Sequence, residues 1–236
     1  MMTISVIIPT LNEARAIANT LSHTGHLGFD EIIVVDGGST DQTRAIVDSL
    51  ISGTQHSALS TVRLLSSPHG RALQMNEGAQ SSKGEILLFL HADTLLPPTA
   101  NQQITAALSD EHIVGGRFDV RFDRSTLIGC IISTMMNFRS RWSGIATGDQ
   151  AMFVRRLTFD HLNGFADMPL MEDIDFSRRL KRQGRLAMLQ DQVVTSFRRW
   201  EENGPIKTIL LMWSLRFLYW VGVSPHRLKN FYVAVR

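Results

Sequence analysis

The sequence predicts an α/β protein: a mainly parallel sheet flanked by helices, with a helical C-terminal extension. Two observations carry that expectation. Short apolar runs alternate with helix-like segments through the first two-fifths of the 236 residues, and strands separated by helices imply right-handed βαβ units with parallel pairing. Acidic residues also stand where apolar runs end: Asp36 closes EIIVVD, Asp93 follows ILLFLHA, and Glu172-Asp173 open EDIDFSRRLKRQG. Ligands of open α/β sheets bind beyond the carboxyl ends of the strands. Carboxylates gathered at that edge suit a metal, a hydroxyl-rich ligand and a proton transfer, an inventory closer to an enzyme than to a binding module.

Each element follows from local pattern. Thr3–Thr10 reads as a strand and Asn12–Leu21 as a helix with Ile17 and Leu21 on one face. Glu31–Asp36 is the second strand, followed by a helix over about Asp41–Leu50, with Ser39 and Gln42 at capping-box spacing. Val62–Ser66 is the third strand, and Arg71–Gln80 is a helix that groups Ala72, Met75 and Ala79. Glu85–His91 is the fourth strand, and Pro97-Pro98 launch another helix. Then the rhythm changes. Phe118, Val120 and Phe122 alternate with polar residues, which predicts a half-exposed strand, and a helix follows over Ser125–Arg141. A short strand is expected at Gln150–Val154, with helices at about Leu157–Leu162 and at Asp173–Gln183, the latter ended by Gly184. The chain after Trp200 reads as helical, punctuated by Pro205 and Pro225.

Composition sets bounds. Hydrophobic residues make up 44% and charged residues 19%, a balance that folds rather than one that stays disordered. A single cysteine, Cys130, excludes an internal disulfide and a cysteine-rich zinc site, which fits a reducing, cytoplasmic setting. The N-terminal MMTISVIIPTLNEAR lacks a basic region before its apolar run, so no signal peptide is expected. The segment 205–223 is the best candidate membrane span, but Arg216 sits in its middle, where a charge is costly. From Arg178 onward, 12 Lys/Arg face 3 Asp/Glu, a balance of +9; the remaining 12 and 19 give −7 for the first 177 residues. An acidic sheet domain thus carries a basic, aromatic tail. That tail suits anionic headgroups at the cytoplasmic membrane face, or instead packs on its own sheet, forms a homodimer face or solvates helices.

The candidate chemistry rests on a few constellations. In VVDGGSTDQT, Asp36 ends a strand where a carboxylate can accept hydrogen bonds from a base or ribose; Asp and Gly are also common in any strand-to-helix turn. Asp93 lies just past a strong apolar strand, placed for Mg²⁺ or Mn²⁺, hard cations that share phosphate oxygens with a substrate. His91 would point the same way if the strand persists, to ligate, to bind ribose or merely to pack. Glu172 and Asp173 open a helix whose end carries Arg178, Arg179, Lys181 and Arg182, an order the helix dipole alone favours. Against that bland reading, the preceding Met168-Pro169-Leu170-Met171 forms an apolar lip that would raise a carboxylate's basicity, as a general base requires. His69, Arg71, Asn76, Asp149, Gln150, Arg198, Arg199, Trp200 and Glu13 complete the polar set, the arginines as clamps for a diphosphate.

Together and in this order, SVIIPTLNEA, IIVVDGGSTDQT, GRALQMNEGA, KGEILLFLHADT, GDQAMFVRR and NGFADMPLMEDIDFSRRLKRQG resemble glycosyltransferase family 2, over about three-quarters of the chain. The resemblance implies a GT-A-type fold with a nucleotide-binding sheet. It implies a glycosyltransferase domain over 1–200, with a donor half to about 110 and an acceptor half beyond, and leaves 201–236 as the tail. It implies an inverting transfer from a nucleoside-diphosphate sugar to a hydroxyl acceptor, with Mn or Mg as cofactor and no nucleic acid as partner; the aromatic residues of the tail beside Lys207 and Arg216 suit an acceptor that is lipid-linked or hydrophobic. By position, Glu13 and Asp36 match the family's nucleotide-binding acids, Asp93 the last acid of its metal-binding D-x-D motif, and Asp173 its catalytic base. Pro9, Arg71, His91, Asp149, Arg199 and Trp200 are expected around the donor, and Glu172 beside the base. Where most members have D-x-D, this chain has His91-Ala92-Asp93, so His91 meets either the metal or the ribose. The FRRW segment is similar to the Q-x-x-R-W of polymer-making members but lacks the Gln, so processive synthesis is not expected. FRRWEENG is also similar to a short bacterial subgroup found beside radical-SAM and selenium-related proteins. A nucleotidyltransferase would need a glycine-rich loop after the first strand, where this chain has PTLNEAR; a non-catalytic nucleotide-binding or membrane-recruiting module is the other alternative.

Overall fold

In a computed structural model that describes residues 2–53, 59 and 61–235, the last three as backbone only, the α/β expectation holds. The donor-half strands are β1 (Ile4–Thr10), β2 (Glu31–Asp36), β3 (Val62–Ser66), β4 (Ile86–Phe89) and the two-residue β5 (Thr94–Leu95). Between them lie α1 (Ile17–Gly25), α2 (Thr43–Ser52) and α3 (Arg71–Ser81), with α4 (Ala100–Ala107) following β5. The second half supplies β6 (Ile113–Phe122), α5 (Leu127–Ser143), β7 (Met152–Arg155), α6 (Arg156–His161), α7 (Glu172–Leu180) and β8 (Arg185–Thr195). Helices α8 (Arg198–Asn203), α9 (Pro205–Trp220) and α10 (Pro225–Val235) follow. The strands form one sheet in the order β3-β2-β1-β4-β7-β6-β8-β5. Pairing is parallel among β3, β2, β1 and β4 and between β6 and β8, and antiparallel at β7 and at β5.

Strand alternation sorts the apolar residues into two layers. Ile4, Val6, Ile8, Ile32, Val34 and Leu88 face Ile17, Leu21, Val47 and Ile104. Ile7, Ile33, Val35, Leu87 and Phe89 face Ala72, Met75, Ala79, Phe159 and Phe176 on the other side. With helices on both faces, the central strands are apolar throughout, as parallel strands are when buried on both sides. Each fully buried Ile or Leu contributes about 1.5–3 kcal/mol.

Several local expectations change. Helix α1 starts at Ile17, not Asn12. Asn12 holds φ +56 and its Oδ1 accepts hydrogen bonds from the Thr40 and Asp41 N–H groups, so it belongs to a loop clasp. The Ser39–Gln42 capping box does not form: Gln42 itself caps α2, and the Ser39 hydroxyl accepts from the Asn12 N–H. Strand β4 ends at Phe89, so the parity that aligned His91 with Asp93 is lost. Strand β6 is not half-exposed, because α5 covers its polar side. Arg117 and Asp119 are buried there as an ion pair, with Ser140 and Arg141 of α5 completing the network. The eleven-residue β8 and the short β5 were not anticipated. In the tail, Leu215 and Leu228 pack with Met171 and Ile174 at the start of α7, while Trp213, Phe217 and Trp220 face outward. Arg236, the last base counted there, lies outside the described residues. Among the described residues no helix is long and apolar enough to cross a membrane.

Candidate active site

The loops after β1 and β2 are fastened together before any ligand is considered. Asn12 and Asp41 bridge them, the latter by accepting the Ala14 N–H at 3.2 Å. Beneath, the buried amide of Gln74 donates to the Thr10 and Val35 carbonyls at 2.7 and 2.8 Å, tying the two strand ends. A Cβ at Gly37 would press on that amide, which is why glycine follows Asp36. Asp36 is itself 1% exposed and accepts hydrogen bonds from the Gly38 and Ser39 N–H groups and from Arg44. Burial opposes its ionisation, but the Ser39, Arg44 and Gly38 hydrogen bonds prevail and hold its pKa below the ordinary value.

Glu13 and Asp93 form a second group. Glu13 pairs with Arg198 at 3.2 Å. Burial, and then the nearby Asp93 carboxylate, push its pKa up, with Arg198 partly offsetting them. Two carboxylates that repel across a strand-end loop suit a divalent cation. Among the described residues no three His, Cys, Asp or Glu side chains form a ready cage, so further ligands would be substrate oxygens and water.

The third group lines a cleft that contains Pro9, Arg71, Phe89, His91, Gly148, Glu172 and Asp173. His91 Nδ1 lies 3.0 Å from Asp149 Oδ1, while its Nε2 is buried with no hydrogen-bond partner among the described residues. Asp149 is held strongly ionised: burial opposes this, but His91, Arg199 and Arg71 outweigh it. Arg71, at the first turn of α3, lies 3.7 Å from Glu172. Burial opposes its charge, yet Glu172, Asp149 and Asp173 raise its pKa. Glu172 is buried, and burial followed by repulsion from Asp173 raises its pKa, against the pull of Arg71. Asp173 Oδ2 accepts the Gly148 N–H at 3.0 Å and Oδ1 the Ile174 N–H at 2.7 Å. The acid pair follows a left-handed residue, Met171, which stands at the N-cap of α7 with φ +71. For a non-glycine residue that conformation costs about 1–3 kcal/mol, and such strain clusters at functional sites.

The structure therefore joins Pro9, Arg71, His91, Asp149, Glu172 and Asp173, with the exposed Arg199 acting on Asp149. His91 also acts on Glu13, which links the cleft to the Asp93 corner. Two expected residues sit apart from the cleft. Asp36 serves its own loop, and Trp200 stacks on Phe197 with centroids 6.4 Å apart and meets Phe122 edge-on. Asn76 is structural, exchanging hydrogen bonds with the Phe165 backbone. Three participants went unread in the sequence. Gly148 leaves room that a Cβ would take from His91 Nε2 and Arg71. Gln74 carries the strand ends. Arg139 on α5 has a buried Nη2 with no hydrogen-bond partner among the described residues; burial lowers its pKa, and Asp173 and Asp149 resist that. A charged residue interrupting the apolar helix was the only available signal for it.

Comparison with known proteins places this geometry in context. A family model described as Glycosyl transferase family 2 matches residues 5–160. The chain is 26% identical over 197 residues to the probable glycosyltransferase YdaM of Bacillus subtilis, covering 77% of this chain and 47% of that protein. It is 32% identical over 159 residues to the PGL/p-HBAD biosynthesis glycosyltransferase of Mycobacterium bovis, covering 65% and 55%. The chain thus spans about half the length of these curated relatives. Among solved structures, the mannosyltransferase PcManGT of Pyrobaculum calidifontis, in complex with GDP-Man and Mn²⁺, superposes with a TM-score of 0.68 at 22% identity, over 83% of this chain and 57% of that one. Residues 1–349 of S. aureus TarS superpose at 0.64 with 18% identity, over 89% and 65%. These likenesses establish the fold, GT-A-like with C-terminal helices.

Proposed function

The chain belongs to glycosyltransferase family 2, and on that footing we propose that it is an inverting glycosyltransferase using a nucleoside-diphosphate sugar, with Asp173 as general base. The observation that carries this reading is the placement of Asp173. Its carboxylate opens into the cleft of Pro9, Arg71 and His91 and is oriented by the Gly148 and Ile174 N–H groups. The acceptor oxygen attacks the anomeric carbon as its proton passes to Asp173. The bond from that carbon to the diphosphate oxygen breaks with its electron pair, and the configuration inverts. Arg71 and Arg199 hold the departing diphosphate, and Glu172 fixes Arg71 at 3.7 Å. Asp93, with Glu13 near it, would hold Mn²⁺ or Mg²⁺, which neutralises diphosphate charge when bound. Glu13 and Asp36 serve the base and ribose, Asp36 chiefly by shaping its loop.

The acceptor in this reading is a lipid-linked or hydrophobic alcohol, met where segment 205–236 rests on an anionic membrane surface at the cytoplasmic face. Exposed Trp213, Phe217 and Trp220 beside Lys207 and Arg216 support that placement. We further read FRRWEENG as a mark of the short bacterial subgroup it resembles. The test is a panel of nucleotide sugars with and without Mn²⁺, read as release of free nucleoside diphosphate and as product anomer. A product that retains the donor configuration, or donor binding without turnover on every acceptor class, would overturn the reading.

A further inference from the structure

Helix α5, which no part of the catalytic reading uses on its outer side, carries an apolar stripe into solvent. Leu127, Ile131, Met135, Phe138 and Trp142 recur at helical spacing and are all exposed, Leu127 and Trp142 by 81% and 85%. Helix α9 does the same with Ile206, Leu210, Trp213, Phe217 and Trp220, each at least 58% exposed. Both helices reach one apolar cluster around Phe122 and Phe197, α5 through Ile128, Ile132 and Met136 and α9 through Ile209. Apolar patches of this extent mark interaction sites rather than ordinary surface.

Charge selects the occupant. Of the 22 Asp and Glu residues in the chain, none lies in α5, α9 or α10; the bases of α5 turn inward, Arg139 toward Asp173 and Arg141 onto Asp119, so the outward charge comes from Lys207 and Arg216 of α9 and Arg227 and Lys229 of α10. Lys207, Arg227 and Lys229 are exposed. Three of the four tryptophans, Trp142, Trp213 and Trp220, stand in the two stripes. A surface that is apolar, rich in tryptophan and basic along α9 and α10, with its nearest acids, Glu201 and Glu202, confined to α8 and Glu201 paired with Arg124, is complementary to an anionic lipid interface, where indole rings settle at headgroup level.

We propose that α5 and α9 form one bed that seats on an anionic bilayer, with α5 as much a part of the contact as the tail. This rests on the membrane reading of segment 205–236 and extends it to a helix in the middle of the chain. It also gives the site a direction. The start of α7, bearing Glu172 and Asp173, packs through Met171 and Ile174 on Leu215 of α9. The base therefore stands directly behind the bed, and an amphiphilic acceptor reaches it along the membrane plane.

The test uses the whole chain with phosphatidylglycerol–phosphatidylcholine vesicles and with phosphatidylcholine alone. A variant with Trp200, Trp213 and Trp220 changed to Phe leaves Trp142 as the reporter; the reciprocal variant Trp142→Phe, Trp200→Phe reports α9. Both should be quenched by brominated lipid in the anionic vesicles only. Phe138→Glu with Trp142→Glu should weaken flotation with those vesicles by at least about tenfold, with far-UV circular dichroism unchanged because both side chains are exposed. Quenching of the α9 reporter with none at Trp142 overturns the bed while leaving the tail reading intact. No association with anionic vesicles sinks both. A concentration-dependent dimer that shields Trp142 without vesicle binding would make the stripe a self-association face and overturn the proposal.

Discussion

An inverting displacement needs one base on the acceptor side, and the backbone hydrogen bonds to Asp173 fix its carboxylate without consuming its ability to take a proton. Asp173→Asn keeps shape and hydrogen bonding but not basicity. Transfer should fall roughly 10²–10⁴-fold while donor affinity, read by calorimetry, stays within a factor of two or so of wild type. Wild-type transfer by that variant would remove Asp173 from the mechanism. Glu172 behaves differently. Its pKa is raised, so its stabilising contribution is complete below the ordinary glutamate pKa and is lost as pH rises through the raised value. Glu172→Gln should therefore melt higher than wild type at neutral and alkaline pH, and the difference should vanish toward pH values near 4. Asp93 carries a similar tension, because it raises Glu13 across the loop. Asp93→Asn should raise the melting temperature without divalent ion and abolish the Mn²⁺-dependent part of donor binding. Equal donor affinity with and without Mn²⁺ in the wild type would contradict the metal assignment.

At the scale of elements, the site depends on how tightly loops are brought together. Gln74→Ala removes two buried hydrogen bonds, leaving the Thr10 carbonyl to the Gly37 N–H and the Val35 carbonyl to the Thr10 hydroxyl; this should cost about 0.5–1.5 kcal/mol per bond in denaturant unfolding and weaken donor binding as the β1 and β2 loops part. Gly148→Ala should leave stability almost unchanged, since the overlap falls on the ends of the His91 and Arg71 side chains. Transfer should fall on the order of 10²-fold, the typical effect of displacing reacting groups by about an ångström. The sequence made much of this legible. Asp36, Asp93 and Glu172-Asp173 sat at ends of apolar runs, and the four parallel strands with their helices could be traced from periodicity alone. Strand β8 could not, because RLAMLQDQVVT mixes polar and apolar residues without alternation, and its pairing with β6 is set by residues about seventy positions away. The His91–Asp149 contact was hidden for a related reason: it depends on β4 stopping at Phe89. Arg117 and Asp119 were misread as solvent-facing because a covering helix leaves no mark on the strand it covers.

At the scale of the molecule, the counted charges become a polarity. The acidic sheet edge holds the chemistry, and the acid-free α9 packs through Leu215 on Met171 and Ile174 at the start of α7, next to the base. A salt titration should distinguish the two ends: vesicle association should weaken steeply as ionic strength rises, whereas the short-range, half-buried Asp149–His91 contact should leave catalysis of a soluble acceptor less affected. Insensitivity of vesicle association to salt would argue against headgroup attraction.

The topology has a kinetic corollary. The Ser5–Glu31 contact between β1 and β2 closes 26 residues, but the Thr94–Thr195 hydroxyl contact between β5 and β8 closes 101, and Glu13–Arg198 closes 185. Loop-closure entropy makes the last of these about 1.7 kcal/mol costlier than the first. The local βαβ units are thus expected to gain protection early, with the corner where Glu13, Asp93 and Arg198 meet among the last places to settle. Pulse-labelled hydrogen exchange during refolding should find β1 and β2 amides protected before those of β5 and β8. A chain emerging residue by residue would then own a folded sheet well before it owned an active site.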